Sequence, residues 1–411
     1  MAWLKVDPME QRVQFVVRAK QKIESMAALC RQFGISRKTG YKWRQRFATH
    51  GLPGLRDRPR RPHRCPRQTS AVWVRRIEQL HSQYPHWGSK KLRVLLQRRT
   101  GPSPTVPARS TIWRIVRRQG LSQPAQRRRG RTVLVGVSLR KARRANAVWA
   151  VDFKGRFRTR DGRWCEPLTV SDVASRYVLA VQALLTQRVE PTQRAFAKLF
   201  ARRGLPECIR CDNGGPFAST GAGGLSRLSA WWQQLGIQVQ WITPGHPEQN
   251  AVHERMHRTL KQETTRPPAP TRQAQQRRFD QWRHQFNQVR PHEALRMHVP
   301  AQHYQRSPRR YPKRLPAVSY PAAYARRRVR SNGQIKWCGR KHFPGQALVG
   351  MSVGIKSVSV GRHEVYFGLV LLGELRDNGS RGVHAVITRP RANGATGSSP
   401  LGGRKEPTKK V

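Results

Sequence analysis

Apolar positions recur at helical spacing over residues 10–48 and predict a helix, a turn and a second helix. Gly34 suits a turn position in the left-handed backbone region, and Ser36 can cap the free N–H groups of the helix that follows. Trp43 and Phe47 lie one turn apart and predict the buried stripe of that second helix. This pattern is typical of a helix-turn-helix, whose second helix enters the major groove of DNA. An ordinary helical hairpin is the alternative interpretation.

A second helical unit is predicted over residues 69–122. Two helices, in VWVRRIEQLHSQYP and GSKKLRVLLQRR, precede a basic helix in VPARSTIWRIVRRQGL, for which Ser110 is the predicted N-cap. We interpret this unit as a second, winged helix-turn-helix. Stretches rich in Pro and Arg on either side of it predict a linker over residues 51–68 and a basic linker over residues 126–145.

From residue 146 the pattern changes from helical spacing to the alternation that is typical of β-strands. The segments AVWAVDFKGRF, WCEPLTVSD and RYVLAVQAL predict three antiparallel strands, and ECIRC and IQVQWI predict two more. Helices are predicted over residues 191–203, near 223–235, from about 250 and over 276–290. Helices that alternate with strands after an antiparallel meander predict a mixed five-stranded sheet with flanking helices.

Short strands after residue 318 predict a small β-barrel, and the final residues are rich in Gly, Ser, Pro and Lys, which predicts disorder. The fold class is therefore multidomain, with all-α helix-turn-helix units, an α/β core and a small β-barrel. The predicted domains are residues 1–50 (helix-turn-helix), 51–68 (linker), 69–125 (second, winged helix-turn-helix), 126–145 (basic linker), 146–310 (α/β core), 318–376 (small β-barrel) and 377–411 (disordered tail).

The charge balance is extreme, since 81 Lys and Arg against 21 Asp and Glu give a net charge of +60. No acidic residue lies between Glu78 and Asp152, or between Glu293 and Glu364. Such stretches, interleaved with Trp and Tyr, favour a nucleic-acid partner, because counterion release drives basic proteins onto polyphosphates. A solvated positive face is the alternative. No disulfide spacing joins the six Cys residues, and no apolar run reaches the ~18 residues of a membrane span. We therefore expect a soluble protein of a reducing compartment.

The scarce carboxylates are placed where a metal site would need them. Asp152 lies inside a predicted central strand, where an unpaired carboxylate is costly to bury. Asp212 follows the end of another strand, at the sheet edge where open α/β sheets build their sites, and Glu254 lies on the helix after Pro247. Three convergent carboxylates need a divalent cation to remain ionised, and hard oxygen ligands select Mg²⁺ or Mn²⁺.

The segment HERMH, residues 253–257, also matches H-E-x-x-H, the zinc-binding helix of metalloproteases. His253 and His257 share a helix face, whereas Glu254 is rotated about 100° from His253. A zinc protease also needs a third ligand and a substrate cleft, and the sequence indicates neither. Cys208 and Cys211 form a lone C-x-x-C, which we interpret as the inside and edge of a strand rather than as a metal site.

The motifs WAVDFKG, IRCDNGGPF, PGHPEQNAVHERMHRTLKQE and FNQVRPHEAL resemble those of the DDE-type, retroviral-integrase-like transposases of bacterial insertion sequences. The likeness is dense from about residue 146 to 310, and the order of the other predicted domains also fits that family. One departure is Ala251, which stands where the family usually has Gly. The resemblance implies an RNase H-like core and two Mg²⁺ or Mn²⁺ ions, with Asp152, Asp212 and Glu254 as both catalytic residues and metal ligands.

The resemblance also implies that the chain binds the terminal inverted repeats of its element, cleaves their 3′ ends and joins them to target DNA. Partners would be double-stranded DNA and further copies of the chain, as a dimer or larger assembly, in the bacterial cytoplasm at the nucleoid and without a membrane. Arg290, in RPHEAL, is expected to brace the site and is a candidate DNA contact. The other candidate DNA-binding residues are Asn250, Arg258 and Lys261, on the stripe of Glu254, and Arg37, Lys38, Tyr41, Lys42 and Arg44, on the first basic helix.

Two alternatives come from other classes of protein. A DNA-binding regulator derived from a transposase could keep this organisation without catalysis, although the complete set of three acids argues against it. A Ser or Tyr recombinase would form a covalent adduct with DNA. No Ser or Tyr lies in a comparable constellation in this sequence.

Overall fold

The computed structural model describes residues 7–57, 68–101, 106–121, 139–243, 246–376 and 383. The chain divides into two compact units, Met1–Ser70 and Ala71–Val411. None of the helices in the described part of the chain is long and apolar enough to cross a membrane. Most of the predicted linker 51–68, most of the basic linker 126–145 and nearly all of the predicted tail 377–411 lie outside the described residues.

The first unit is built on helices α1 (Pro8–Gln21), α2 (Met26–Gln32) and α3 (Arg37–His50). Gly34 adopts a φ of 61°, and the Ser36 hydroxyl accepts a hydrogen bond from the Thr39 amide, so the predicted turn and N-cap are confirmed. Trp43 is buried and Phe47 is half-buried against the same small core. A 3₁₀ turn, Leu52–Leu55, buries Leu55 in this core, so the beginning of the predicted linker is folded onto the helices.

The second unit begins with three helices, α4 (Ala71–Gln83), α5 (Ser89–Thr100) and α6 (Arg109–Arg118), around one apolar core. No strand is present over described residues 68–101 and 106–121, and the rest of the predicted winged unit, residues 102–105 and 122–125, lies outside the described part, so the wing stays a prediction. The prediction of Ser110 as N-cap is wrong. Helix α6 starts one residue before Ser110, with Ala108 as its N-cap, so the Ser110 amide is already within the first turn.

A mixed sheet forms the centre of the second unit. Its strands are β1 (Val148–Phe153), β2 (Phe157–Arg158), β3 (Trp164–Asp172), β4 (Val178–Leu184), β5 (Cys208–Cys211) and β6 (Gln238–Trp241). Strand β3 pairs antiparallel with β1, β2 and β4, whereas β5 pairs parallel with both β1 and β6. The five main strands agree with the predicted mixed sheet, and β1 is central because it joins its antiparallel and parallel halves.

Helices cover both faces of this sheet. Helices α7 (Val189–Arg203) and α8 (Arg227–Gln234) pack on one face, in a core that contains Phe196, Phe200 and Trp232. Helices α9 (Ala251–Thr264) and α10 (Arg272–His284) pack on the other face, in a core that contains Met256, Phe279 and Trp282. The chain continues α10 with a π turn, Gln285–Val289, before the RPHEAL segment.

The C-terminal strands form open sheets instead of the small β-barrel predicted for residues 318–376. Strands β7 (Ala325–Arg328), β10 (Ser352–Ser359), β11 (Arg362–Phe367) and β12 (Val370–Arg376) form one sheet in the order β12-β11-β10-β7. Strands β8 (Ile335–Trp337) and β9 (Arg340–His342) form a separate hairpin. Among the described residues, β7 and β12 do not pair with each other, and closure requires that pairing, so a barrel is not confirmed.

Candidate active site

Asp152 and Asp212 lie side by side at the carboxyl ends of adjacent parallel strands. The register of β1 and β5 pairs Val148 with Cys208 and Ala150 with Arg210. Continued by two positions, this register places Asp212 level with Asp152, on strands that are roughly 4.8 Å apart. Residues at the same level of parallel strands direct their side chains to the same face of a sheet, so the two carboxyl groups share one face.

The electrostatic environment of Asp152 agrees with this placement. The pKa of Asp152 is raised to about 7, first by burial and then by the neighbouring Asp212 carboxylate, with a smaller contribution from Glu254. The Lys154 ammonium acts in the opposite direction. Burial also raises the pKa of Asp212, against a hydrogen bond from the Gly214 amide at 3.2 Å. The two aspartates therefore hold negative charge at a cost that a bound cation would reduce.

Helix α9 places Glu254 on its exposed face and buries the opposite stripe. The buried stripe consists of His253, Met256, His257, Leu260 and Thr264, which are spaced three or four residues apart. Because this stripe packs on the sheet face that carries Asp152, the helix sets Glu254 beside the two aspartates without burying it.

The histidines of HERMH face the sheet and bond to hydroxyl groups of β3. The Thr169 Oγ1 lies 2.7 Å from His253 Nε2 and 2.5 Å from His257 Nε2, and it donates to the Asp152 carbonyl at 2.9 Å. The Ser171 Oγ lies 2.7 Å from His253 Nδ1. Burial lowers the pKa of His253 to about 3 and also lowers the pKa of His257, so both imidazoles are neutral at pH 7. The H-E-x-x-H pattern therefore reflects helix packing.

Strand pairing explains why these groups meet. Thr169 lies directly opposite Asp152 in the antiparallel ladder of β1 and β3, so the two side chains are on the same face of the sheet. His257 Nδ1 lies 3.5 Å from Asp152 Oδ2, which links the carboxyl group to the buried network. Sequence reasoning missed Thr169 and Ser171. The alternation of two hydroxyl side chains inside a buried strand was the available signal.

Two other buried features have structural roles. Asp172 is fully buried, but its oxygens accept hydrogen bonds from the Asn146 amide and from the amide and hydroxyl of Ser175, so it closes a turn away from the site. Cys208 and Cys211 are the two ends of β5 and form no disulfide. The interpretation of C-x-x-C as part of a strand is thus consistent with the structure.

The donor set fits a hard divalent cation, because Asp152 and Asp212 offer carboxylate oxygens in a place where their charges repel. The described residues include no group of three or more His, Cys, Asp or Glu already gathered closely enough to hold a metal ion. Glu254 raises the pKa of Asp152 from an exposed position, so it lies near that carboxyl group. The three acids together therefore remain a predicted metal site.

The candidate DNA-binding residues are divided between the two units. In the first unit, the five candidates on α3 are all exposed: Arg37, Lys38, Tyr41, Lys42 and Arg44. In the second unit, Arg258 and Lys261 are exposed one and two turns after Glu254, whereas Asn250 is buried, with 8% of its surface exposed. Arg290 is buried and makes two hydrogen bonds to Glu263, at 2.8 and 3.0 Å, which makes it a brace between α9 and RPHEAL.

Comparison with known families identifies the domains. Two models described as "Integrase core domain" match residues 142–247 and 235–300. A model described as "Helix-turn-helix domain" matches residues 11–63, and one described as "Homeodomain-like domain" matches residues 39–116. The integrase matches cover β1 to α10 and therefore include all three candidate acids.

The chain is similar to proteins of insertion elements. It is 26% identical over 240 residues to the "Insertion element IS407 uncharacterized 31.7 kDa protein" of Burkholderia multivorans, across 58% of this chain and 82% of that protein. It is 28% identical over 237 residues to the "Insertion element IS476 uncharacterized 39.2 kDa protein" of Xanthomonas euvesicatoria, across 57% of this chain and 64% of that protein.

Among solved structures, the chain is similar to the HTLV-2 integrase catalytic core domain in complex with magnesium, with 16% identity and a TM-score of 0.30 over 40% of this chain and all of that one. It is also similar to a chain of a simian T-cell lymphotropic virus intasome complex, with 15% identity and a TM-score of 0.35 over 74% of this chain and all of that one. Scores this low carry no argument about the fold, which follows from the strand pairing above.

Proposed function

We propose that this chain, a DDE-type insertion-sequence transposase with an integrase catalytic core and helix-turn-helix domains, cleaves the 3′ ends of its element and joins them to target DNA. The observation that carries this proposal is the parallel pairing of β1 and β5, whose register, continued by two positions, brings Asp152 and Asp212 to the same level. Glu254 is close enough to Asp152 to contribute to the raised pKa of that carboxyl group. The integrase-core matches over the same residues support it.

Asp152, Asp212 and Glu254 would hold two Mg²⁺ or Mn²⁺ ions. When bound, such ions lower the pKa of an attacking water or 3′-hydroxyl and stabilise the departing oxygen. The role of the chain is to orient these carboxylates. The Thr169 hydroxyl donates to the Asp152 carbonyl and His257 lies beside the Asp152 carboxyl group, so buried neighbours define the backbone position of Asp152 before the ligands engage.

DNA would be held by cations next to these acids. Arg258 and Lys261 are exposed on the helix that carries Glu254, and the described residues provide no ion pair for either of them. Exposed guanidinium and ammonium groups are therefore available for backbone phosphates at the reacting centre. The exposed cations of α3 would bind element ends through the major groove. Because both ends of an element are processed together, we expect at least a dimer on DNA.

The test is cleavage and strand transfer of candidate terminal repeats with Mg²⁺, comparing the chain with Asp152→Asn and Asp280→Asn. Asp280 is a half-exposed acid on α10, so its replacement by Asn is the matched control. We expect Asp152→Asn to abolish both reactions and to retain DNA binding, and we expect Asp280→Asn to retain all three. Cleavage by the Asp152→Asn variant would refute the assignment. DNA binding by the unmodified chain without any cleavage would favour an inactive regulator instead.

A further inference from the structure

A cavity of about 330 Å³ lies beside α9, on a side of the helix different from that of Glu254. Four cationic side chains line it, and we refer to it as the basic cavity: Lys91, Arg176, Arg255 and Arg290. They come from α5, from the turn before β4, from α9 and from the segment after α10. The cavity therefore lies where the helical part of the second unit meets the catalytic core.

Three of these cations have no carboxylate partner within ion-pair distance in the described part of the chain: Lys91, Arg176 and Arg255. Arg290 is neutralised by Glu263. One acid, Glu293, also lines the cavity, but its carboxylate pairs with the neighbouring Lys90, which is not part of the lining. Of these three, Lys91 and Arg176 are half-buried and Arg255 is exposed. A folded protein rarely leaves half-buried cations together unless an anion completes the group.

The electrostatics of the basic cavity agree with a missing anion. The pKa of Lys91 is lowered to about 8, mainly by burial and also by the positive charges of Arg290 and Arg255, against the opposite effect of Glu263 and Glu293. Burial and then Arg255 lower the pKa of Arg176. For Lys91 and Arg176, burial and a neighbouring cation both disfavour the charged form, which is the reverse of a structural ion-pair network.

The backbone beside the cavity is also unusual. Arg176 has a φ of 63°, an unfavourable conformation for a residue with a Cβ atom, and such outliers cluster at functional sites.

We propose that the basic cavity binds one phosphate group of the DNA strand that passes the catalytic carboxylates, an inference that rests on the proposed function. Arg255 follows Glu254 directly on α9, so the cavity and the acids lie on two sides of one helix. A helix with its side chains is about 10–12 Å across, which corresponds to roughly three nucleotides at 3.4 Å per nucleotide of one strand. A phosphate in the cavity would therefore lie about three nucleotides from the reacting centre if it belongs to the strand that is cut or joined.

This site would also couple the two parts of the second unit. Lys91 belongs to the three-helix part, whereas Arg176 and Arg255 belong to the core, so one phosphate would neutralise cations from both. The contacts already present there include Lys90 with Glu293 and the hydrogen bond from Arg98 to the Met297 carbonyl at 2.8 Å. Phosphate binding would strengthen this junction only when DNA is in place.

The test uses element-end duplexes that carry a single neutral methylphosphonate at each position within five nucleotides of the cleavage site. Binding is compared for the full chain, Lys91→Gln and Lys198→Gln. Lys198 is an exposed lysine on α7, on the opposite face of the sheet, and its variant removes the same charge. At one or two positions, we expect the neutral linkage to reduce the DNA affinity of the full chain and of the Lys198→Gln variant on the order of tenfold. This is the effect of losing one charge-assisted hydrogen bond. At those positions, the neutral linkage should leave the DNA affinity of the Lys91→Gln variant unchanged.

Equal sensitivity of Lys91→Gln and the full chain at every position would overturn the proposal. A lowered unfolding temperature of Lys91→Gln with uniformly weaker binding would also overturn it, because the role of Lys91 would then be structural. We expect an equal or higher unfolding temperature, since the substitution removes repulsion from Arg255 and Arg290. Failure of the proposed function gives a different result, in which the full chain neither binds nor cleaves element ends.

Discussion

Removal of one hydroxyl group, in Thr169→Val, tests whether the buried network beneath Asp152 stabilises the fold and orients the catalytic residue. The substitution keeps the shape of the side chain and deletes the Oγ1 that bonds to both imidazoles and to the Asp152 carbonyl. Three buried polar groups then lose a partner, although His253 keeps its bond to Ser171. Each buried group without a partner costs about 1–3 kcal/mol, so we expect a loss of at least about 3 kcal/mol.

Thr169→Ser is the matched control, because it keeps the hydroxyl and removes only a methyl group. We expect this variant to lose about 1 kcal/mol. The assay is urea unfolding followed by tryptophan fluorescence, since Trp149, Trp231 and Trp232 report on the core of the second unit. Strand transfer is measured in parallel at a temperature where both variants are folded. If Thr169→Val and Thr169→Ser lose the same stability and the same activity, the network has neither role.

Three further predictions concern pH, packing and DNA binding. Because His253 and His257 have a lowered pKa in the folded chain, stability should fall as the pH drops from about 6.5 towards 3, by about 1.4 kcal/mol per unit for each residue. The raised pKa of Asp152, about 7, has the opposite effect on stability. Between about pH 4 and 7 it offsets the loss of stability caused by one of the two histidines. His257→Gln should therefore reduce the slope of stability against pH by about 1.4 kcal/mol per unit, and an unchanged slope would contradict the buried neutral state. Gly40→Ala would place a methyl group 2.5 Å from a cysteine sulfur between α2 and α3, so we expect a loss of about 1–2 kcal/mol in thermal unfolding of the first unit. Lys42→Gln should reduce the salt dependence of DNA affinity by about one ion without lowering the unfolding temperature, and a changed unfolding temperature with an unchanged salt slope would exclude a phosphate contact.

The sequence by itself determined the features that depend on neighbouring residues. Gly34 and Ser36 defined the turn between α2 and α3, because backbone preference and capping act within one helical turn. The alternation after residue 146 predicted the strands of the core in their order. The scarcity of acids in a chain of net charge +60 identified Asp152 and Asp212 as candidates.

Tertiary structure decided what depends on contacts between distant segments. The direction of His253 and His257 follows from the packing of α9 on β3, which joins residues more than 80 positions apart, and a short motif holds no information about that contact. The open C-terminal sheets follow from which strand edges pair, and the basic cavity follows from side chains contributed by four separate segments. Local sequence fixes backbone conformation through short-range sterics and hydrogen bonds, whereas pairing, burial and the shifted pKa of Asp152 arise only when the whole chain folds.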